Sequence, residues 1–252
     1  MLTLKRRLPP EIKAVLRRVG AEMTEAWSRQ YRLQAIVARP FRSSLDPLAR
    51  IYGTDKSSRS HGYTSLYRAH LGARRRDVRC LLEIGIGGTT SLTGYDTSEG
   101  GQSLRMWQDY FPNARIIGID IASKVVKGPR IFTEQGSQND TRFLTDVAHR
   151  HGPFDVVIDD GSHLGPDVRI SFETLFEHVA PGGVYIIEDL AAAYLAWGDI
   201  RGGPPGTPGT QMELLKELTD HVLRRWWDTG GTGHHLAAMH LYDQIAFLYR
   251  TP

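Results

Sequence analysis

In "FDVVIDDGSHLGPD", Phe154 to Asp167, an apolar run ends in two aspartates, turns, and carries a histidine three residues after the second. Those types at that spacing suit proton and metal chemistry. A second apolar run, "GGVYIIEDL", ends in Glu188 and Asp189. If the two runs are neighbouring parallel strands, Asp160, Glu188 and Asp189 meet at one rim, where bare like charges raise one another's pKa. A divalent cation relieves that repulsion, and oxygen ligands favour Mg²⁺ or a similarly hard ion. His163 then faces the same ion, poised near neutral pH to take a proton from a hydroxyl held there. The plainer alternative is that Asp160 and Asp189 cap helices and His163 is a loop histidine.

The elements that must position these residues are legible from Cys80 onward. "CLLEIGIG", "RIIGIDI", "RIFTEQG", "FDVVIDDG" and "VYIIED" are Ile/Val-rich runs separated by helical patterns such as "SLRMWQDYFP", "DTRFLTDVAHRHG" and "DVRISFETLFEHVAPGG". This alternation predicts an α/β fold with a doubly wound, mostly parallel sheet buried on both faces. Such sheets bind ligands at the carboxyl ends of their strands. There "LLEIGIGG" places Gly85, Gly87 and Gly88, which let a ligand approach the backbone, although Thr90 stands where a dinucleotide fingerprint would have a third glycine. Asp120 ends the next strand, suited to ribose hydroxyls of an adenosine-containing ligand or to capping a helix. In "EQGSQND", Ser137 and Gln138 either border an adenine ring or belong to the cap of the next helix.

With 252 residues and 40% hydrophobic content the chain is long enough for one good core. The 31 basic residues exceed the 28 acidic ones by only 3, too little to argue for a nucleic-acid partner. The lone Cys80 has no disulfide partner and reads as a buried strand start, which fits a reducing cytoplasm. No leader-like apolar stretch or membrane-length window is seen, so no membrane partner is expected. Residues 1–47 read as a helical extension, with Ile12, Val15, Leu16, Val19, Met23 and Trp27 at helical spacing between Pro9 and Ala38. Their apolar face predicts a homo-oligomer, or helices folded back on the chain. The main domain is expected over 48–252. In it, "LARIYGTDKSSRSHGYTSLYRAHL" reads as a polar turn and a short helix, 197–211 as a Gly/Pro-rich lid loop, and "HLAAMHLYDQIAFLYR" as a closing hairpin.

Taken in order, "YGTDKSSRSHGYTSLY", "LLEIGIGG", "GGQSLRMWQDYFPNARIIGIDI", "QGSQND", "FDVVIDDGSH" and "PGGVYIIEDL" resemble the metal-dependent S-adenosylmethionine O-methyltransferases that modify sugars of bacterial natural products. These include the macrocin, mycinamicin and rhamnosyl types. The resemblance runs from about Tyr52 to Asp189 and implies a class I methyltransferase acting on a glycosylated secondary metabolite. It implies Asp160, Glu188 and Asp189 as Mg²⁺ ligands and His163 as general base. Tyr63, Glu83, Gly85, Gly87, Asp120, Ser137 and Gln138 would line S-adenosyl-L-methionine, Tyr63 from a polar lid. The spacing from Asp160 to His163 is also similar to that in catechol O-methyltransferases, where a lysine is the base. Methylation of an aminosugar nitrogen or a catechol are near alternatives. An NAD-type oxidoreductase and a silent cofactor-binding protein are the more distant ones.

Overall fold

The computed structural model describes residues 30–87, 100–227 and 234–252. The expected helices over 9–29, and Gly88 with the segment that follows it, lie outside these residues. Five parallel strands form the sheet predicted from the Ile/Val runs: β1 (Cys80–Ile84), β2 (Arg115–Asp120), β3 (Ile131–Gln135), β4 (Phe154–Asp159) and β5 (Val179–Ile187). A small hairpin, β6 (Ala196–Trp197) and β7 (Ile200–Arg201), stands apart. The closing hairpin is β8 (Leu236–Leu241) with β9 (Ala246–Arg250), and β9 inserts antiparallel beside β5. The order is β3-β2-β1-β4-β5-β9-β8. The chain therefore reverses direction across the sheet between β1 and β4, opening a crevice at their carboxyl ends.

Strand alternation divides the core into two layers. Leu81, Val156, Val184 and Phe247 pack on one face, and their chain neighbours Leu82, Val157, Tyr185 and Leu248 on the other. The first layer is covered by α2 (Leu45–Tyr52), α3 (Tyr63–Leu71) and α4 (Gln102–Tyr110); the second by α5 (Thr141–His151), α6 (Gly165–Leu175) and α7 (Gln211–Val222). A helical segment over 30–38, α1, precedes them. Cys80 is buried at the start of β1, which pushes its thiol up to about 11. Among the described residues no helix is long and apolar enough to cross a membrane.

Two local features differ from the sequence reading. Residues 45–52 form a helix rather than part of a polar turn, because Leu45, Leu48, Ala49 and Tyr52 are buried in the first layer. Tyr52 also donates to Asp109 Oδ2 at 2.7 Å. "APGG" lies within β5, not at the end of a helix. The pairing jumps from Phe154 opposite Val179 to Val156 opposite Val184, so the extra residues are absorbed as a bulge.

Candidate active site

The pair at the end of β4 splits by strand alternation. Asp159 points into the second layer, 2% exposed, and accepts hydrogen bonds from Ser171, Tyr185 and Gln138. Burial raises its pKa, against the pull of those donors. Asp160 therefore turns to the rim, its N–H donating to Ile84 O at 2.9 Å. The turn that follows is braced: Ser162 N–H donates to Gln138 Oε1 at 2.6 Å and Ser162 Oγ to Asp167 Oδ2 at 2.9 Å. This bracing holds His163 at φ 57°. Its partner Asp189, after β5, sits at φ 55°, and the two are the non-glycine residues with positive φ among those described. His163 Nε2 lies 3.4 Å from Asp189 Oδ2. Two strained residues in contact are a mark of a site whose geometry is maintained at a cost.

Asp160, His163 and Asp189 bring one donor atom each within 4.8 Å of one another. Glu188 lies outside that trio but shares the Lys56 ammonium with Asp160. It is 2% exposed, with Tyr67 donating to Oε1 at 2.5 Å and Lys56 to Oε2 at 2.5 Å. Lys56 also reaches Asp160 Oδ2 at 2.5 Å and faces Glu83 Oε1 at 3.5 Å. Burial works against its charge, but the three carboxylates outweigh this and hold the ammonium well above the ordinary lysine pKa. Burial also raises Glu188, partly countered by Lys56. Sequence reasoning missed Lys56, Tyr67 and His61, the last with Nδ1 3.6 Å from Asp189 Oδ1. A lysine among serines and arginines carries no signal of burial.

The residues expected to line a cofactor sit in different surroundings. Gly85 and Asp120 shape the turn after β1: Gly85 has φ +76°, and Asp120 accepts from the N–H of Ile86 and of Ala122. Gly87, at φ +70°, has no described residue within 4 Å of the position of a Cβ. Gln138 uses both ends of its amide inside the protein, on Ser162 and Asp159, and Ser137 donates to Asn139 Oδ1 at 2.8 Å. Tyr63 is 3% exposed and donates to Asp189 Oδ1 at 2.6 Å.

Glu83, fully buried at β1, accepts from Ser103 Oγ at 2.8 Å, while its Oε1 has no hydrogen-bond partner. Burial pushes its pKa from 4.5 to about 7, with Lys56 opposing. Between those values the folded chain keeps a proton that the unfolded chain releases. Stability from this group is thus complete below pH 4.5 and is lost as pH rises through about 7. The shift is worth about 3 kcal/mol. Melting of metal-stripped protein between pH 5 and pH 8 is expected to show this decline, and Glu83→Gln to flatten it; an equal decline in the variant removes Glu83 as its source.

Beside His163 a cavity of about 220 Å³ opens between the start of α6 and the 197–211 segment, lined by Asp167, Asp199, Arg201, Thr210 and Gln211 among others. Gly209 closes tightly on α6: a Cβ at Gly165 would meet the carbonyl of Gly209 at 1.9 Å.

No protein-family model matches the chain. Mycinamicin VI 2''-O-methyltransferase of Micromonospora griseorubida is 41% identical over 212 residues, 81% of this chain and 52% of the relative. Demethylmacrocin O-methyltransferase of Streptomyces fradiae is 41% identical over 214 residues, with the same coverage of 81% and 52%. A tetracenomycin rhamnosyl 3'-O-methyltransferase of Streptomyces olivaceus is 39% identical over 223 residues, 86% of this chain and 55% of its own. Among solved structures, MycE methyltransferase from the mycinamycin pathway, in complex with Mg, SAH and mycinamycin VI, superposes with a TM-score of 0.72 at 41% identity. The match covers 82% of this chain and 54% of that one. The chain thus spans about half the length of the curated relatives it matches.

Proposed function

Since this chain is homologous, over four-fifths of its length, to the mycinamicin- and macrocin-type sugar O-methyltransferases, we propose that it methylates a sugar hydroxyl of a glycosylated bacterial metabolite, using S-adenosyl-L-methionine and Mg²⁺. The observation that carries the reading is the cluster of Asp160, His163 and Asp189 within 4.8 Å at adjacent strand ends, two of its members in strained backbone. The donor set fits a hard divalent cation: carboxylates exceed cationic side chains at the rim, where Glu83, Asp160 and Glu188 surround one lysine and Asp189 stands beside Asp160. When bound, the sulfonium cofactor supplies an electrophilic methyl and the metal lowers the pKa of the acceptor hydroxyl.

Asp160, Glu188 and Asp189, the carboxylates that follow β4 and β5, would hold the ion. His163 would take the acceptor's proton, and Asp189 Oδ2, 3.4 Å from its Nε2, would stabilise the imidazolium that forms. Gly85, Gly87 and Asp120 shape the cleft that receives the cofactor, and Tyr63 buttresses Asp189 from the covering segment. The 220 Å³ cavity beside His163 is below the roughly 300 Å³ at which drug-sized sites begin, a size for one sugar ring with the rest of the acceptor outside. The reading extends to a cytoplasmic enzyme, since the cofactor is a cytoplasmic metabolite. It also extends to self-association, which the exposed Leu33, Ile36, Val37 and Phe41 support.

The test is calorimetric titration of S-adenosyl-L-methionine with and without Mg²⁺, then methyl transfer to mycinamicin VI, demethylmacrocin and rhamnosyl tetracenomycins. Cofactor binding with Mg²⁺-dependent transfer to a sugar hydroxyl is the expected result. Cofactor binding with transfer to nitrogen would move the reading to an aminosugar, and no cofactor binding would end it.

A further inference from the structure

The polar segment between α2 and α3 delivers a group that the proposed chemistry does not use. Lys56 is 1% exposed, and its single ammonium faces carboxylates from the ends of three strands: Glu83 of β1, Asp160 after β4 and Glu188 after β5. The two closest oxygens, Asp160 Oδ2 and Glu188 Oε2, each stand 2.5 Å from Nζ. A lysine this buried is retained only while its carboxylates hold it. They are in excess: with Asp189 the rim has four against one lysine.

We propose that Lys56 is the resident cation of this rim, holding Asp160 and Glu188 in the metal-free chain, and that a divalent ion binding there must displace its ammonium. The inference rests on the reading that Asp160 belongs to a metal-binding rim. Hard divalent ions take ligand oxygens at about 2.0–2.6 Å. An ion sharing either of Lys56's two close oxygens would then stand within about 4 to 5 Å of Nζ, and two cations at that separation in a buried site repel strongly. Lys56 and the metal therefore compete for one pair of carboxylates. The competition has a structural consequence, because the segment carrying Lys56 also carries His61 and leads into Tyr63, both on Asp189. Seating of this segment and loading of the metal draw on the same oxygens.

Mn²⁺, a spectroscopic stand-in for Mg²⁺, would be titrated into metal-stripped wild type, Lys56→Gln, Asp160→Asn and the double variant, with free ion read by paramagnetic resonance. Lys56→Gln is expected to bind at least tenfold more tightly than wild type, and Asp160→Asn to abolish the gain. Equal or weaker binding by Lys56→Gln, with Asp160-dependent binding intact in wild type, overturns the proposal and leaves the metal reading standing. No Asp160-dependent binding in either background overturns both. Should Lys56→Gln not fold, wild type still decides. The chain has six lysines, so the ¹³Cε signal of Lys56 can be followed in labelled protein, assigned through Tyr67, which donates to the same Glu188 carboxylate. Saturating Mg²⁺ is expected to move it toward the position of an exposed lysine; an unmoved signal overturns displacement.

Discussion

Replacing His163 by asparagine is expected to slow methyl transfer by about a hundred- to ten-thousand-fold, the range that a positioned general base contributes. Asparagine separates chemistry from backbone. At φ 57° alanine would add a conformational cost, whereas asparagine is among the residues that most readily adopt the left-handed region. The turn braced by Ser162, Asp167 and Gln138 thus keeps its shape, while the side chain loses its basic nitrogen. Affinity for the cofactor should be nearly unchanged, because the glycine turn and Asp120 lie on β1 and β2 rather than on this loop. The check is the pair of measurements: kcat with a saturating sugar acceptor, and cofactor affinity by calorimetry. Transfer within about fivefold of wild type would remove His163 as base. His61, the other imidazole near Asp189, would then be the residue to test.

The parts of this site that the sequence displays are those governed by periodicity. A parallel strand buried on both faces leaves an unbroken Ile/Val run, so β1, β2, β4 and the second half of β5 are visible as such. Their carboxyl ends follow directly, and with them Asp120, Asp160 and Asp189. The parts that stay hidden depend on contacts distant in the chain. Lys56 owes its burial to carboxylates 104 and 132 residues away, and in "GTDKSSRSH" it has the look of a solvated turn residue. Gln138 reads as an amide free to meet a base, yet Asp159 and Ser162 occupy both of its ends. Glu188 and Asp189 are adjacent in sequence, and nothing local says that one turns in to Lys56 while the other takes a left-handed conformation at the rim. The helix over 45–52 is likewise a product of what it buries against.

Gly85→Ala is expected to destabilise the chain by about 3 kcal/mol or more, a loss of about 6 to 12 °C in Tm for a domain of this size. Two effects add. The residue has φ +76°, which costs an L side chain on the order of 1 kcal/mol. Its Cβ would also stand 2.1 Å from the carbonyl oxygen of Asp160, and that atom is backbone with no rotamer to yield. Relief requires the turns after β1 and β4 to part, and the second of these carries Asp160 to the rim. Gly87→Ala is the internal control. Its φ of +70° imposes a similar conformational cost, but among the described residues no atom lies within 4 Å of the added methyl. Gly87→Ala should therefore lose only about 2 to 4 °C and weaken cofactor binding instead, because the turn after β1 is where the cofactor is proposed to approach the backbone. Thermal melts of the two variants, with calorimetry on each, separate close packing of two turns from open backbone kept for a ligand. Equal melting temperatures would mean that the turns after β1 and β4 are not held in contact, and the route by which Gly85 positions Asp160 would fail.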